Sequence, residues 1–295
     1  MTTPSASVVI PAHNEAEHLG ALLGSLQLAS TRRPLCIVVV CNGCTDATEE
    51  IAKSFEGVEV LVTPVPAKHA ALNAGDDAAG DVFPRLYVDG DVRIDPRSVC
   101  ELVSALDTDA PRAAGPTTRD DLTKSPWPVR AFVRTRERLP FNEFWHASHL
   151  QGRGLYGTSR AGRARFGRFP AIRSDDGFVD LLFDDAERTV LTTALVELAA
   201  PTSVGVLLKS QTRVVEGYRE LLEWMGAHHP DRQLRFEGDA HKGWRDAALW
   251  RRSAFVQGLR RGTGALDALG YVLVVALART NALLRRSLRR EIRWR

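Results

Sequence analysis

Hydrophobic positions along the first hundred residues switch repeatedly between unbroken runs and a helical spacing. Residues 7–10 (SVVI) form a short apolar run closed by Pro11, the mark of a buried strand. From Glu15 to Leu28 the apolar positions are Leu19, Leu22, Leu23 and Leu26, a helical period, with Asn14 placed to cap it. Residues 35–40 (LCIVVV) show no polar alternation, as expected of a strand covered on both faces. Helices over 47–55, 68–79 and 95–106 then alternate with strands over 58–62 and 85–89. This alternation predicts an α/β fold: a mostly parallel, Rossmann-like sheet with flanking helices.

After Gly115 the rhythm breaks. Residues 119–150 mix arginine and proline with Trp127, Phe132, Phe141, Phe144 and Trp145. Residues 186–199 alternate polar and apolar, as strands do, whereas 226–246 are polar and patternless and read as a mobile connection. Residues 263–284 return to helical spacing, as a C-terminal helical extension. The uninterrupted apolar core of that helix, Ala268 to Ala278, is 11 residues long, short of the roughly 20 that span a bilayer. It is expected to lie on a membrane surface or to pack on the domain. The boundaries expected are 1–115 and 116–222 for two halves of one domain, 223–262 for a flexible connection, and 263–295 for an amphipathic helix with a basic tail.

Composition narrows the class. The chain has 295 residues and is 44% apolar, enough for a packed core and incompatible with a disordered chain. Its four cysteines (Cys36, Cys41, Cys44 and Cys100) do not make a secreted disulfide framework. The start carries neither a charged n-region nor a long apolar h-region, so a mature cytosolic N-terminus is expected. The net charge of +3 is unevenly spread: after Leu284 six arginines face one glutamate. Between Arg119 and Arg173, 12 Lys and Arg face 4 Asp and Glu, a surplus suited to a substrate carrying phosphate or carboxylate. A basic tail does not make a nucleic-acid-binding domain.

In an open parallel sheet, ligands bind beyond the C-terminal strand edges. Three polar loops fall there: PAHNE (11–15), CNGCTD (41–46) and DGD (89–91). No GxGxxG follows the first strand and no GxxxxGK[ST] occurs, so the usual dinucleotide and P-loop readings fail. Asp89 and Asp91, two residues apart at a strand end, suit a hard divalent cation, with Gly90 letting the backbone turn; a solvated D-G turn is the alternative. Cys41-x-x-Cys44 has no second pair or nearby His, so its thiols are expected to pack in the turn rather than bind zinc.

Taken in order, these segments resemble the family 2 inverting glycosyltransferases, which have the GT-A fold. The resemblance rests on VVIPAHNEAEHLGALLGSL, VVVCNGCTDATEEIA, KHAALNAGDDAAGD, LYVDGDVRIDP and GRGLYGTSRAGRARFGRFPAIRSDDGFVD, and it covers roughly residues 7 to 222. It implies a nucleotide-sugar-binding half (1–115), an acceptor-side half (116–222), and Mn²⁺ or Mg²⁺ as cofactor. Pro11, Asn14 and Glu15 would line the nucleoside pocket. Asn42 and Asp46 would lie in the turn at the base and ribose, and Lys68 near the diphosphate. Asp89 would meet the ribose or the metal, and Asp91 the metal. Asn14 and Asp46 are also good helix caps, which for Asp46 is the stronger reading; Lys68 is also a solvated helix start. Arg153 and Arg160 would face the acceptor, and Asp176, with Asp175 as substitute, would take the acceptor proton.

Two departures stand out. Many relatives carry a carboxylate where this chain has Cys41, which leaves the preferred base open. Gln211 and Arg213 do not keep the Q-x-x-R-W spacing; Arg213 reaches the diphosphate or is an ordinary surface arginine. The partners expected are a nucleotide-sugar donor, an unidentified acceptor that is lipid-linked or anionic, a membrane surface, and no specific nucleic acid. The location expected is cytoplasmic, peripheral on the inner membrane face. An inactive nucleotide-sugar-binding protein and a tail-driven membrane adaptor are the competing readings.

Overall fold

The apolar runs of the first hundred residues become strands in the computed structural model, which describes residues 3–139, 146–232, 256, 259–262 and 264–287. The strands are β1 (Ala6–Ala12), β2 (Leu35–Asn42), β3 (Val58–Thr63), β4 (Arg85–Val88), β5 (Arg93–Ile94), β6 (Ala113–Asp121), β7 (Leu155–Thr158) and β8 (Arg188–Ala199). The helices are α1 (Leu19–Ser30), α2 (Thr48–Lys53), α3 (Lys68–Ala79), α4 (Pro96–Leu106), α5 (Trp127–Arg138), α6 (Arg160–Arg163), α7 (Asp175–Leu181), α8 (Val204–His228) and α9 (Ala265–Ser287). Phe141, Phe144, Trp145, most of the polar connection and the tail beyond Ser287 lie outside the described residues.

Two units interleave along the chain. The first comprises the described residues of Met1–Arg119, Ser148–Ala171 and Leu182–Ala199. It is built on a sheet of order β3-β2-β1-β4-β7-β6-β8-β5. The β3-β2-β1-β4 half is parallel, with Val8 opposite Ile37 and Val9 opposite Tyr87. Beyond β4 the sheet turns antiparallel, at β4–β7, β6–β7 and β5–β8, so it is mixed rather than uniformly parallel. Leu19, Leu22, Leu23 and Leu26 of α1 are buried with Val8, Ile10 and Val39 in one core, each leucine contributing about 1.5–3 kcal/mol.

Local departures from the expected elements have physical causes. Pro11 does not end β1, because β4 pairs only as far as Val9 and a residue without N–H is tolerated where the ladder is one-sided. Asn14 does not cap α1; His18 occupies that position and makes no side-chain cap. β6 and α5 arise where no element was expected. α5 is rich in arginine, but its Val129, Phe132 and Val133 share one buried stripe.

The second unit comprises the described residues of Asp120–Ala147, Ile172–Leu181 and Ala200–Arg295. The buried stripe of α5 packs there with Leu207 of α8 and with Tyr271, Val274 and Val275 of α9. Phe132 and Tyr271 stack with ring centroids 4.9 Å apart. The first residues of the expected connection, 226–228, are the last turn of α8. Helix α9 runs 23 residues, twice the apolar core counted in the sequence, and is by length and composition alone long and apolar enough to cross a membrane. One of its faces is nonetheless buried in this unit.

Candidate active site

The loops after β1 and β2 are laced together. Asn14 has φ of 58°, a left-handed conformation that asparagine tolerates better than most residues. That turn aims its side-chain carbonyl at the Thr45 N–H, which donates to it at 2.8 Å. The Glu15 N–H donates to Thr48 Oγ1 at 2.8 Å, and the Ala16 N–H to Asp46 at 3.2 Å. Asp46 also accepts from the Thr48 N–H at 3.1 Å and from the Thr48 hydroxyl. Partial burial raises the Asp46 pKa, but these hydrogen bonds outweigh it and hold the carboxyl below its ordinary value. Asp46 thus ties the loops together just ahead of α2, but it is not the cap expected of it: Ala47 occupies that position and makes no side-chain cap.

The third loop joins them through Glu15 and Lys68. A Cβ on Gly90 would lie 2.8 Å from Glu15 Cγ, so the glycine is what lets the Asp89-Gly90-Asp91 turn rest against that side chain. The Asp89 N–H donates to the Gly154 carbonyl at 2.8 Å, which anchors the turn from behind. Lys68 Nζ lies 2.7 Å from Asp89 Oδ1, with the two side chains 20% and 40% exposed. Lys68 is the first residue of α3, where a cation opposes the helix dipole, and Asp89 offsets it. No side chain caps the start of α3, so its leading N–H groups and the ammonium share one end of the helix.

The remaining sequence candidates of this unit are less open. Pro11, Glu15 and Asn42 are buried. Both amide atoms of Asn42 lack a hydrogen-bond partner among the described residues. Cys41 is fully buried and its thiol is pushed up to about 12, mainly by burial, so it stays protonated. Arg153, expected on the acceptor side, is 1% exposed and donates to the carbonyls of His149 and Pro116, both at 2.6 Å. It supports its loop from inside. Arg160 is exposed and pairs with Asp81.

One buried cluster was not foreseen. Asp76 accepts from Arg85 and from the Tyr87 hydroxyl on Oδ1, at 2.7 and 2.8 Å, and from Arg163 on Oδ2 at 2.6 Å. Burial, with the Asp76 charge beside it, pushes the Tyr87 hydroxyl well above its ordinary pKa, so it remains a donor. Asn73 adds a two-way clasp with the Phe169 backbone, at 2.8 and 3.1 Å. Together they fasten the 163–169 segment to α3. The usable signal was an Asp at the helical spacing of the buried Leu72 and Ala79, where a solvated acid has no place.

In the second unit, Asp175 and Asp176 open α7. Asp175 is buried, whereas Asp176 is half-buried and accepts from the Gly177 N–H at 2.7 Å and the Ser174 hydroxyl at 3.1 Å. The loop before them is tied to α8 through Arg173, which pairs with Glu216 and Glu220. Arg213 is half-buried on α8.

Among the described residues no three His, Cys, Asp or Glu side chains gather to hold a metal by themselves. A hard cation completed by phosphate oxygens needs only one or two carboxylates. Asp89 and Asp91, oxygen donors flanking a glycine with an ammonium alongside, fit that requirement.

A family model, "Glycosyl transferase family 2", matches residues 7–166. Glycosyltransferase AglE of Haloferax volcanii is 32% identical over 97 residues, covering 30% of this chain and 31% of that protein, so the match spans about a third of the relative. A mannosyltransferase from Pyrobaculum calidifontis, solved with GDP-Man and Mn²⁺, superposes with a TM-score of 0.65 at 16% identity, covering 99% of this chain and 89% of that one. A mycobacterial protein of solved structure gives 0.51 at 19% identity, with 72% and 73% covered. At such identities the likeness shows the fold, which is GT-A.

Proposed function

The chain belongs to glycosyl transferase family 2, and we propose that it moves a sugar from a nucleoside diphosphate donor to an acceptor hydroxyl with inversion at the anomeric carbon. The observation that carries this reading is the Lys68–Asp89 pair at the uncapped start of α3, with Glu15 against Gly90 and Asp91 next in the same turn. Ammonium and helix N–H groups favour a diphosphate there, and the carboxylates favour its counter-ion. The Pyrobaculum relative was solved with a nucleotide sugar and Mn²⁺, which supports the same ligand class here.

Asp91, with Asp89, would hold Mn²⁺ or Mg²⁺, whose charge offsets that of the departing diphosphate. Inversion is one displacement: the acceptor oxygen bonds to the anomeric carbon as the carbon–oxygen bond to diphosphate breaks, and that electron pair leaves with the diphosphate. The acceptor proton goes to Asp176, the half-exposed member of its pair. The arginine surplus over 119–173 does not select an anionic acceptor, because Arg160, Arg163, Arg165, Arg168 and Arg173 are each paired with a carboxylate and Arg153 is buried on backbone carbonyls.

A panel of nucleotide sugars incubated with the protein and Mn²⁺ or Mg²⁺ tests this. Release of nucleoside diphosphate from one donor, slow without acceptor and faster with it, is the expected result. Tight donor binding with no turnover on any acceptor would make the chain a nucleotide-sugar-binding protein instead.

A further inference from the structure

Helix α9 is apolar on two sides, and among the described residues only one is covered. Tyr271, Val274 and Val275 pack against α5 and α8. On the opposite side Leu266, Leu269, Leu273, Leu277 and Leu284 are all exposed, Leu266 at 70% and Leu273 at 52%. Their spacing keeps them within an arc of about 80° and over a length of about 27 Å. The acid of this helix, Asp267, is paired with Arg134 at 3.1 Å.

Charge at both ends says what covers the row. Arg260 and Arg261 are exposed just before α9, and Arg285 and Arg286 occupy its last turn. The sequence continues with Arg289, Arg290, Arg293 and Arg295. A second copy laid on the same face would set arginine against arginine in either direction. A bilayer core on all sides would demand that the face packed on α5 and α8 be stripped. A leucine row bounded by cations suits one occupant, an interface with acyl chains at its centre and anionic headgroups at its ends.

We propose that the outer leucine row of α9 seats the protein flat on an anionic phospholipid bilayer, the leucines entering the headgroup boundary and the flanking arginines meeting lipid phosphates. The contact involves none of the groups assigned to sugar transfer, so it goes beyond that reading and stands or falls separately.

Flotation of the full chain with vesicles tests it. Protein should rise with vesicles of phosphatidylcholine and phosphatidylglycerol at low salt, and much less with phosphatidylcholine alone. The combined variant Leu269→Ser, Leu273→Ser and Leu277→Ser should lower vesicle affinity by about tenfold or more, while its thermal midpoint and donor turnover stay as in the wild type. Arg285→Gln with Arg286→Gln should weaken binding to the anionic vesicles and leave the remainder less sensitive to salt. The proposal is overturned if the wild type ignores anionic vesicles, or if the leucine variant binds them as well as the wild type. Light scattering that shows a dimer, lost in the leucine variant and accompanied by no vesicle binding, would assign the row to self-association.

Discussion

Asp175 and Asp176 are neighbours in sequence but not in environment. The first is buried, and the second is half-exposed with its Oδ1 taken by Ser174 and Gly177. A general base must be reached by the hydroxyl it deprotonates, which favours Asp176. Asp176→Asn keeps the shape and removes the basicity, so turnover should fall by about 10²–10⁴-fold. Donor affinity, measured separately by calorimetry, should hardly move. Asp175→Asn should fail differently, through stability, because it alters a buried group. If Asp175→Asn is the dead variant while Asp176→Asn remains active, the roles are reversed; near-normal turnover in both would make the loop a structural turn. Other single residues show how one atom can be claimed by structure before function. Asn14 and Asp46 each accept a hydrogen bond that joins the loops after β1 and β2.

At the level of elements, α3 links core and site. Its inner side approaches the sheet so closely that a Cβ on Gly75 would lie 2.3 Å from Val9 Cγ1 and 3.4 Å from Val40 Cγ2. Gly75→Ala gains helix propensity of about 1 kcal/mol, yet the overlap forces α3 away from β1 at a cost of about 1–3 kcal/mol. The urea midpoint should drop, and donor affinity with it, since Lys68 rides on the same helix; an unchanged midpoint would show that α3 has slack. This helix was readable in the sequence to its last residue, and β1 and β2 were readable as apolar runs that the structure extends by a residue or two at their ends. β6 was not readable. Only its first four residues are buried, and it carries Gly115, Pro116 and two aspartates, so neither period nor propensity marks it. It is a strand because β7 pairs with Ala113 and Ala114, a tertiary cause invisible locally. The same holds for the candidate site: Asp89 and Asp91 stand out in their own loop and Lys68 comes only from the family resemblance, whereas the Asp76–Arg163 contact joins residues 87 positions apart.

For the whole molecule, the donor and its ion should register as stability. A ligand that binds only the folded chain stabilises it by about 2.7 kcal/mol at a hundred times its dissociation constant, or about 2–4 °C of melting temperature per kcal/mol in a chain of 150–250 residues. If Asp91 and Asp89 hold the ion that the diphosphate completes, neither ligand should give its full shift alone. Nucleotide sugar and Mn²⁺ together should raise the melting temperature by more than the sum of their separate shifts, and chelation should remove the surplus. Asp91→Asn should abolish the surplus. Asp89→Asn should only reduce it, because Asp89 already answers the Lys68 ammonium at 2.7 Å and so gives less of its charge to the ion. Asp176→Asn should leave the surplus whole, since it enters at proton transfer and not at binding. A donor shift of full size in the presence of chelator would sever the carboxylate pair from the metal and leave Lys68 and the start of α3 as the diphosphate's only proposed partners.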